Sequence, residues 1–91
     1  MRVSGVSYVA EFIGTFVFIL SIFMSGGNPL VIGGALALVI YLIAGLSGGH
    51  VNPAVSFAML MDGSLTAPQM LMYAASQLLG GGAAYYAYRR M

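Results

Sequence analysis

The polar groups of this chain that could do chemistry gather in one short stretch, Ser47-Gly48-Gly49-His50-Val51-Asn52-Pro53. Asn52 followed by Pro53 spells a helix start, an amide-bearing N-cap and then proline at the first helical position, where its missing N–H costs nothing. Such a start presents unpaired N–H groups and the positive end of the helix dipole, which disfavours cations. The glycine-rich residues before it read as extended chain, whose carbonyls at Gly48, Gly49, His50 and Val51 can accept hydrogen bonds from a passing molecule. Asn52 adds an amide donor at the turning point. Together these groups make a filter for small, uncharged, hydrogen-bonding solutes such as water, with an electrostatic barrier to protons and cations. They do not make an enzyme. One histidine, two carboxylates far apart at Glu11 and Asp62, and no cysteine give neither a hydrolytic centre nor a metal site, and no cofactor is expected.

The elements that must hold this stretch are apolar. The charged residues are Arg2, Glu11, Asp62, Arg89 and Arg90 alone, against 60% hydrophobic residues and a mean hydropathy of +0.97. A soluble domain carries about a quarter charged residues. A soluble enzyme and a disordered tail are thereby excluded, and a net charge of +1 without lysine excludes a nucleic-acid partner. The expected protein is all-α, integral to a membrane and multi-pass, with the lipid bilayer as its surroundings. Three segments are long enough to cross: residues 6–24, 30–46 and 67–88. The first is too long for a secretory signal and has Glu11 inside it. The third opens at Thr66 as N-cap with Pro68 in its first turn, and closes in Tyr85, Tyr86 and Tyr88, an interfacial aromatic belt. Residues 51–61 are apolar but reach only about 16 Å, half of a ~30 Å hydrocarbon core. With the breaker run before them and the Asp62-Gly63 stop after them, residues 47–61 read as a re-entrant loop and half-helix, tolerated at membrane depth only beside a wet cavity or protein.

The segment SGGHVNPAVS at 47–56, preceded by AEFIGTF at 10–16 and followed by the Gln77-x-x-Gly80 pattern, resembles the major intrinsic protein family of aquaporins and glycerol facilitators. The resemblance covers nearly the whole chain. It implies half of an aquaporin fold, residues 1–91 forming one repeat of three spans plus one re-entrant half-helix. It also implies that Asn52 binds the permeant at the pore centre, that Pro53 and Ala54 stack on their counterparts from a second half-helix, and that the carbonyls of residues 48–51 line the approach with His50 facing the lumen. Glu11, Thr15 and Gln77 would support the loop, Glu11 as a fixed acceptor for its N–H groups, with Tyr73, one turn from Gln77, serving similarly. The departures are equally specific. Family members carry two such repeats in opposite orientations, and the second carries an arginine after its Asn-Pro-Ala motif where this chain has Val55.

A second copy inserted antiparallel would supply the missing half, turning the family's pseudo-two-fold into a true two-fold in the membrane plane. Three spans put Arg2 and Asp62 on one side and Arg89 with Arg90 on the other, so the positive-inside rule decides orientation only weakly. Four such dimers would make an octamer by resemblance to the family's tetramers. The expected function is then a passive channel for water and other small neutral solutes such as glycerol. Other readings stay open: a small dual-topology transporter working around Glu11, or a non-conducting subunit or fragment of a longer channel. His50 is either a lumen group or a hydrogen-bonded structural residue. The small-residue stripes Ser76-Gly80-Ala84 and Gly33-Ala37 serve packing either within the chain or between chains.

Overall fold

A computed structural model describes residues 2–91, so that Met1 lies outside the described residues. The chain forms four α-helices: α1 (Gly5–Met24), α2 (Pro29–Ser47), α3 (Pro53–Asp62) and α4 (Ala67–Tyr88). Local chemistry sets three of the starts. Asn28 accepts hydrogen bonds from Leu30 N and Val31 N ahead of α2, Asn52 from Ala54 N ahead of α3, and Thr66 from Gln69 N ahead of α4. Each cap satisfies donors that the first helical turn cannot pair internally. Gly48 and Gly63, in the left-handed conformation at φ 90° and 87°, end α2 and α3.

Helix α1 is the centre of the molecule, with α2 packed on one side and α4 on the other, while α3 leans on α4. Contact between α1 and α4 is close enough to demand glycine: a Cβ on Gly80 would lie 2.5 Å from the carbonyl oxygen of Phe12. Gly14 does the same for α2, where a Cβ would meet the side chains of Ile43 and Val39. The α4 stripe is thus used within the chain at Gly80 and at the fully buried Ala84, whereas nothing approaches Gly33 on α2.

The distribution of polarity is inverted relative to a water-soluble fold. Ser7, Glu11, Thr15, Ser47, His50, Ser56 and Gln77 are buried, while Leu30 and Tyr41 are 86% and 82% exposed. Large apolar side chains facing outward along every helix, over a core of hydrogen-bonded polar groups, suit a lipid solvent. Helices α1 and α2 are each long and apolar enough to cross a membrane. At 22 residues α4 is as long, about 33 Å, but more polar, carrying Gln69, Ser76, Gln77 and the run Gly80-Gly81-Gly82.

The stretch between α2 and α3 departs from the extended chain expected of it. Gly48, Gly49 and Val51 all have positive φ, at 90°, 67° and 46°. The coiling has a purpose: it turns successive backbone N–H groups toward one point.

Candidate functional site

That point is the carboxylate of Glu11. Its Oε2 accepts from Ser47 Oγ at 2.5 Å and from the backbone N–H of His50 at 3.0 Å. Its Oε1 accepts from the N–H of Val51 at 2.7 Å and from Gln77 Nε2 at 2.9 Å. Four donors fill the lone-pair capacity of a carboxylate. Consecutive N–H groups converging on an anion form a nest, and left-handed residues are what allow it. The β-branched Val51 is held at φ 46° by its bond to Glu11.

A second set of bonds ties the same loop to the other long helices. Tyr73 donates its hydroxyl to the Ser47 carbonyl at 2.7 Å, and Ser7 donates to the Leu46 carbonyl at 2.7 Å, so the last carbonyls of α2 find partners in α4 and α1. Gln77 Nε2 also reaches Ser56 Oγ at 2.9 Å, and Ser56 Oγ lies 2.9 Å from His50 Nδ1. Ser56 accepts from Gln77 and has one proton to give. Among its contacts only Nδ1 can take that proton, and with Ser56 donating there the His50 ring carries its own proton on Nε2; the opposite tautomer would leave the Ser56 proton without an acceptor among the described residues.

The groups left over are those that could meet a solute. Asn52 spends its Oδ1 on the N–H of Ala54 at 2.8 Å, and its Nδ2 has no partner among the described residues. Asn52 and Ala54 are exposed and Pro53 half-buried, at the tip where the loop becomes α3. Beside them runs a groove of about 250 Å³ whose lining combines the loop residues Gly49, His50, Val51 and Asn52 with the apolar Phe18, Leu36, Ile40 and Val55. The lining offers a small neutral molecule hydrogen-bonding groups from the loop within otherwise apolar surroundings.

Glu11, Gln77 and residues 48–52 are therefore brought to one place. Thr15 lies one turn beyond Glu11, buried, but its hydroxyl touches none of the loop's polar groups. Ser7, Ser47 and Ser56 carry much of the brace; Ser7 and Ser56 were given no role from the sequence, and Ser47 was read only as the start of the loop. The i, i+4 pair Ser7 and Glu11 on α1, and Ser56 four residues after the N-cap Asn52, were the available signals.

Residues 25–89 match the family model of the major intrinsic proteins. The chain belongs to that family. Among its relatives, glycerol uptake facilitator protein-like 6 of Lactiplantibacillus plantarum is 38% identical over 81 residues, which cover 80% of this chain and 38% of the relative. Probable aquaporin TIP5-1 of Arabidopsis thaliana is 39% identical over 90 residues, 79% of this chain and 35% of the relative. Probable aquaporin PIP2-6 of Oryza sativa subsp. japonica is 43% identical over 49 residues, 54% of this chain and 17% of the relative. The chain thus spans less than two fifths of the length of these curated major intrinsic proteins. No solved structure matches it. Family membership together with the apolar α1 and α2 makes it a membrane protein.

Proposed function

We propose that this chain is one half of a transmembrane channel for water and small neutral solutes such as glycerol, completed by an antiparallel second copy. In this reading α1, α2 and α4 cross the bilayer. Helix α3, at 10 residues and about 15 Å, descends only to the midplane. Asn52, Pro53 and Ala54 then meet the same residues of the inverted copy, and four pairs assemble as an octamer. Solutes pass along the carbonyls of residues 48–51, His50 and the free amide of Asn52, while protons and cations are turned back where two helix N-termini face each other. With Val55 following the motif in both copies, the constriction has no guanidinium, and its selectivity falls to size and to the amide and carbonyl groups.

The observation that carries this reading is the bracing of the loop. The donors at the turn are spent within the chain, the Gly48 N–H on the Ala44 carbonyl, the Gly49 N–H on Ser47 Oγ and the His50 and Val51 N–H groups on Glu11, except those at Asn52 and the first turn of α3, so the loop is held firmly and its remaining hydrogen-bonding capacity lies at the Asn52 tip. The same observation argues against a carrier working around Glu11, whose oxygens are occupied by four donors and sealed from solvent.

Osmotic swelling of proteoliposomes holding the purified chain tests the function. Fast water and glycerol flux without proton leak is expected. Background flux from a well-folded oligomer would refute the channel, and proton-coupled uptake lost in Glu11→Gln with assembly intact would replace it with a transporter. A C-terminal topology reporter found on only one face of the membrane would rule out the antiparallel pair.

A further inference from the structure

The C-terminal end of α4 holds a cluster that the proposed channel does not use. Arg89 and Arg90 follow Tyr85, Tyr86 and Tyr88 there, and all of them are exposed. Each guanidinium is held by the tyrosine one turn before it. The Arg90 Cζ sits 3.3 Å from the centre of the Tyr86 ring, and its Nη1 donates to the Tyr86 carbonyl at 3.2 Å. Arg89 Nη1 donates to the Tyr85 hydroxyl at 3.0 Å, and the Tyr85 ring is itself set against Phe23 of α1, 5.3 Å between centroids. Such contacts restrain side chains that are otherwise among the most mobile. Neither arginine meets a carboxylate side chain among the described residues: Glu11 is enclosed in the brace, and Asp62, at the end of α3, accepts from Ser64. Most of their N–H donors are therefore unspent, and both arginines line one surface hollow of about 530 Å³ with Tyr85 and Tyr86.

Two restrained cations opening on one hollow without a counter-charge call for an anion with several oxygens, since the guanidinium fork matches phosphate and carboxylate alike. The surroundings decide its source. Tyr86, Ala83 and Leu79 lie four, seven and eleven residues before Arg90 and share its face of α4. From Arg90 to Leu79 the helix covers about 16 Å, the depth of one leaflet of a ~30 Å hydrocarbon core. Leu79 is 66% exposed, and Ala83, between it and Tyr86, is small enough for an acyl chain to lie along the helix. A molecule with a phosphate at one end and a hydrocarbon chain below it matches both parts of this face. An acidic protein segment would satisfy the arginines and leave the apolar strip uncovered. A zwitterionic lipid would bring its own ammonium close to two guanidiniums that no carboxylate balances, so a net negative headgroup fits better.

We infer that the end of α4 seats an anionic phospholipid, with Arg89 and Arg90 on its phosphate and one acyl chain along Ala83 and Leu79. The inference rests on α4 crossing the bilayer, as proposed above, and not on the pairing of copies. The chain has no tryptophan, so Leu79→Trp places a single fluorescent reporter on the strip and keeps it apolar. Its quenching is read in proteoliposomes of mixed phosphatidylcholine and phosphatidylglycerol, with brominated chains on one lipid or on the other. Both leaflets have the same composition, so the orientation of the chain does not enter the readout. At about 5-fold for each arginine near a membrane surface, phosphatidylglycerol should occupy the strip in roughly 25-fold preference. Arg90→Gln should cut that preference about 5-fold, and the double variant Arg89→Gln, Arg90→Gln should abolish it. Tyr86→Leu leaves the charge unchanged but frees the Arg90 side chain, a loss of about 3-fold that separates a seated headgroup from diffuse attraction to an anionic surface. A preference that Tyr86→Leu leaves intact overturns the inference. Equal quenching by the two lipids overturns it as well and returns the arginines to an acidic protein partner. A preference abolished by inorganic phosphate, against chloride at the same ionic strength, assigns the arginines to the free anion and overturns the lipid. A reporter that neither brominated lipid quenches lies outside the hydrocarbon, which overturns α4 as a span instead.

Discussion

Replacing Glu11 by glutamine changes one oxygen to NH₂ and so tests the brace directly. If the new amide nitrogen takes the Oε2 position it confronts the N–H of His50, donor against donor, while Ser47 Oγ can reverse its role and accept. If it takes the Oε1 position, Gln77 can flip to offer its oxygen, but the N–H of Val51 is stranded. One backbone donor is lost whichever way the amide settles, and a side-chain donor, Ser47 or Gln77, with it if that neighbour does not adjust. A hydrogen bond to a charged group contributes about 1.5–3 kcal/mol, so Glu11→Gln should destabilise the fold by roughly 2–6 kcal/mol. Glu11→Ala should cost more, since it strands every donor. Equilibrium unfolding in mixed detergent micelles, followed by helicity, measures this. A Glu11→Gln protein with the parent's unfolding midpoint would mean that the loop is held by something other than this carboxylate.

Gly80→Ala drives a methyl to 2.5 Å from the Phe12 carbonyl, and because backbone must move, a loss of about 1–3 kcal/mol is expected. Gly14→Ala meets side-chain atoms of Ile43 and Val39 that can rotate away, so its cost should be under about 1 kcal/mol; equal unfolding midpoints for the two would refute the backbone contact. Nitrogen-15 spectra of the imidazole should report His50 as the Nε2–H tautomer, and Ser56→Ala should release that preference. A parent ring protonated on Nδ1 would show that Ser56 does not donate to it. Asn52→Asp puts a carboxylate where the proposed channel has an amide, against the positive end of α3, and should raise sodium and proton leak through proteoliposomes. Unchanged ion exclusion would remove Asn52 from the constriction.

What the sequence made legible was whatever depends on neighbours in the chain. Asn52 with Pro53, Thr66 with Pro68, and the Gly63 stop announce helix ends because a cap acts within three or four residues. Glu11 announced itself by its isolation among apolar residues. The serine brace did not, because Ser7, Ser47 and Ser56 become partners of α2, α1 and α4 only once the helices pack. The backbone of residues 48–51 was misread for a related reason. A glycine-rich run tolerates extended and left-handed conformations alike, and it is the distant Glu11 that selects the second.

The brace also imposes an order on biogenesis. Glu11 is synthesised early, and the N–H groups of His50 and Val51 reach it only after α2 is complete, yet Gln77 and Tyr73 arrive last, on α4. Until then the carboxylate lacks part of its shell and the end of α2 has an open carbonyl, both poorly suited to hydrocarbon. The nascent chain should therefore linger in a hydrated environment beside the insertion machinery and settle into lipid as a unit once α4 emerges, rather than helix by helix.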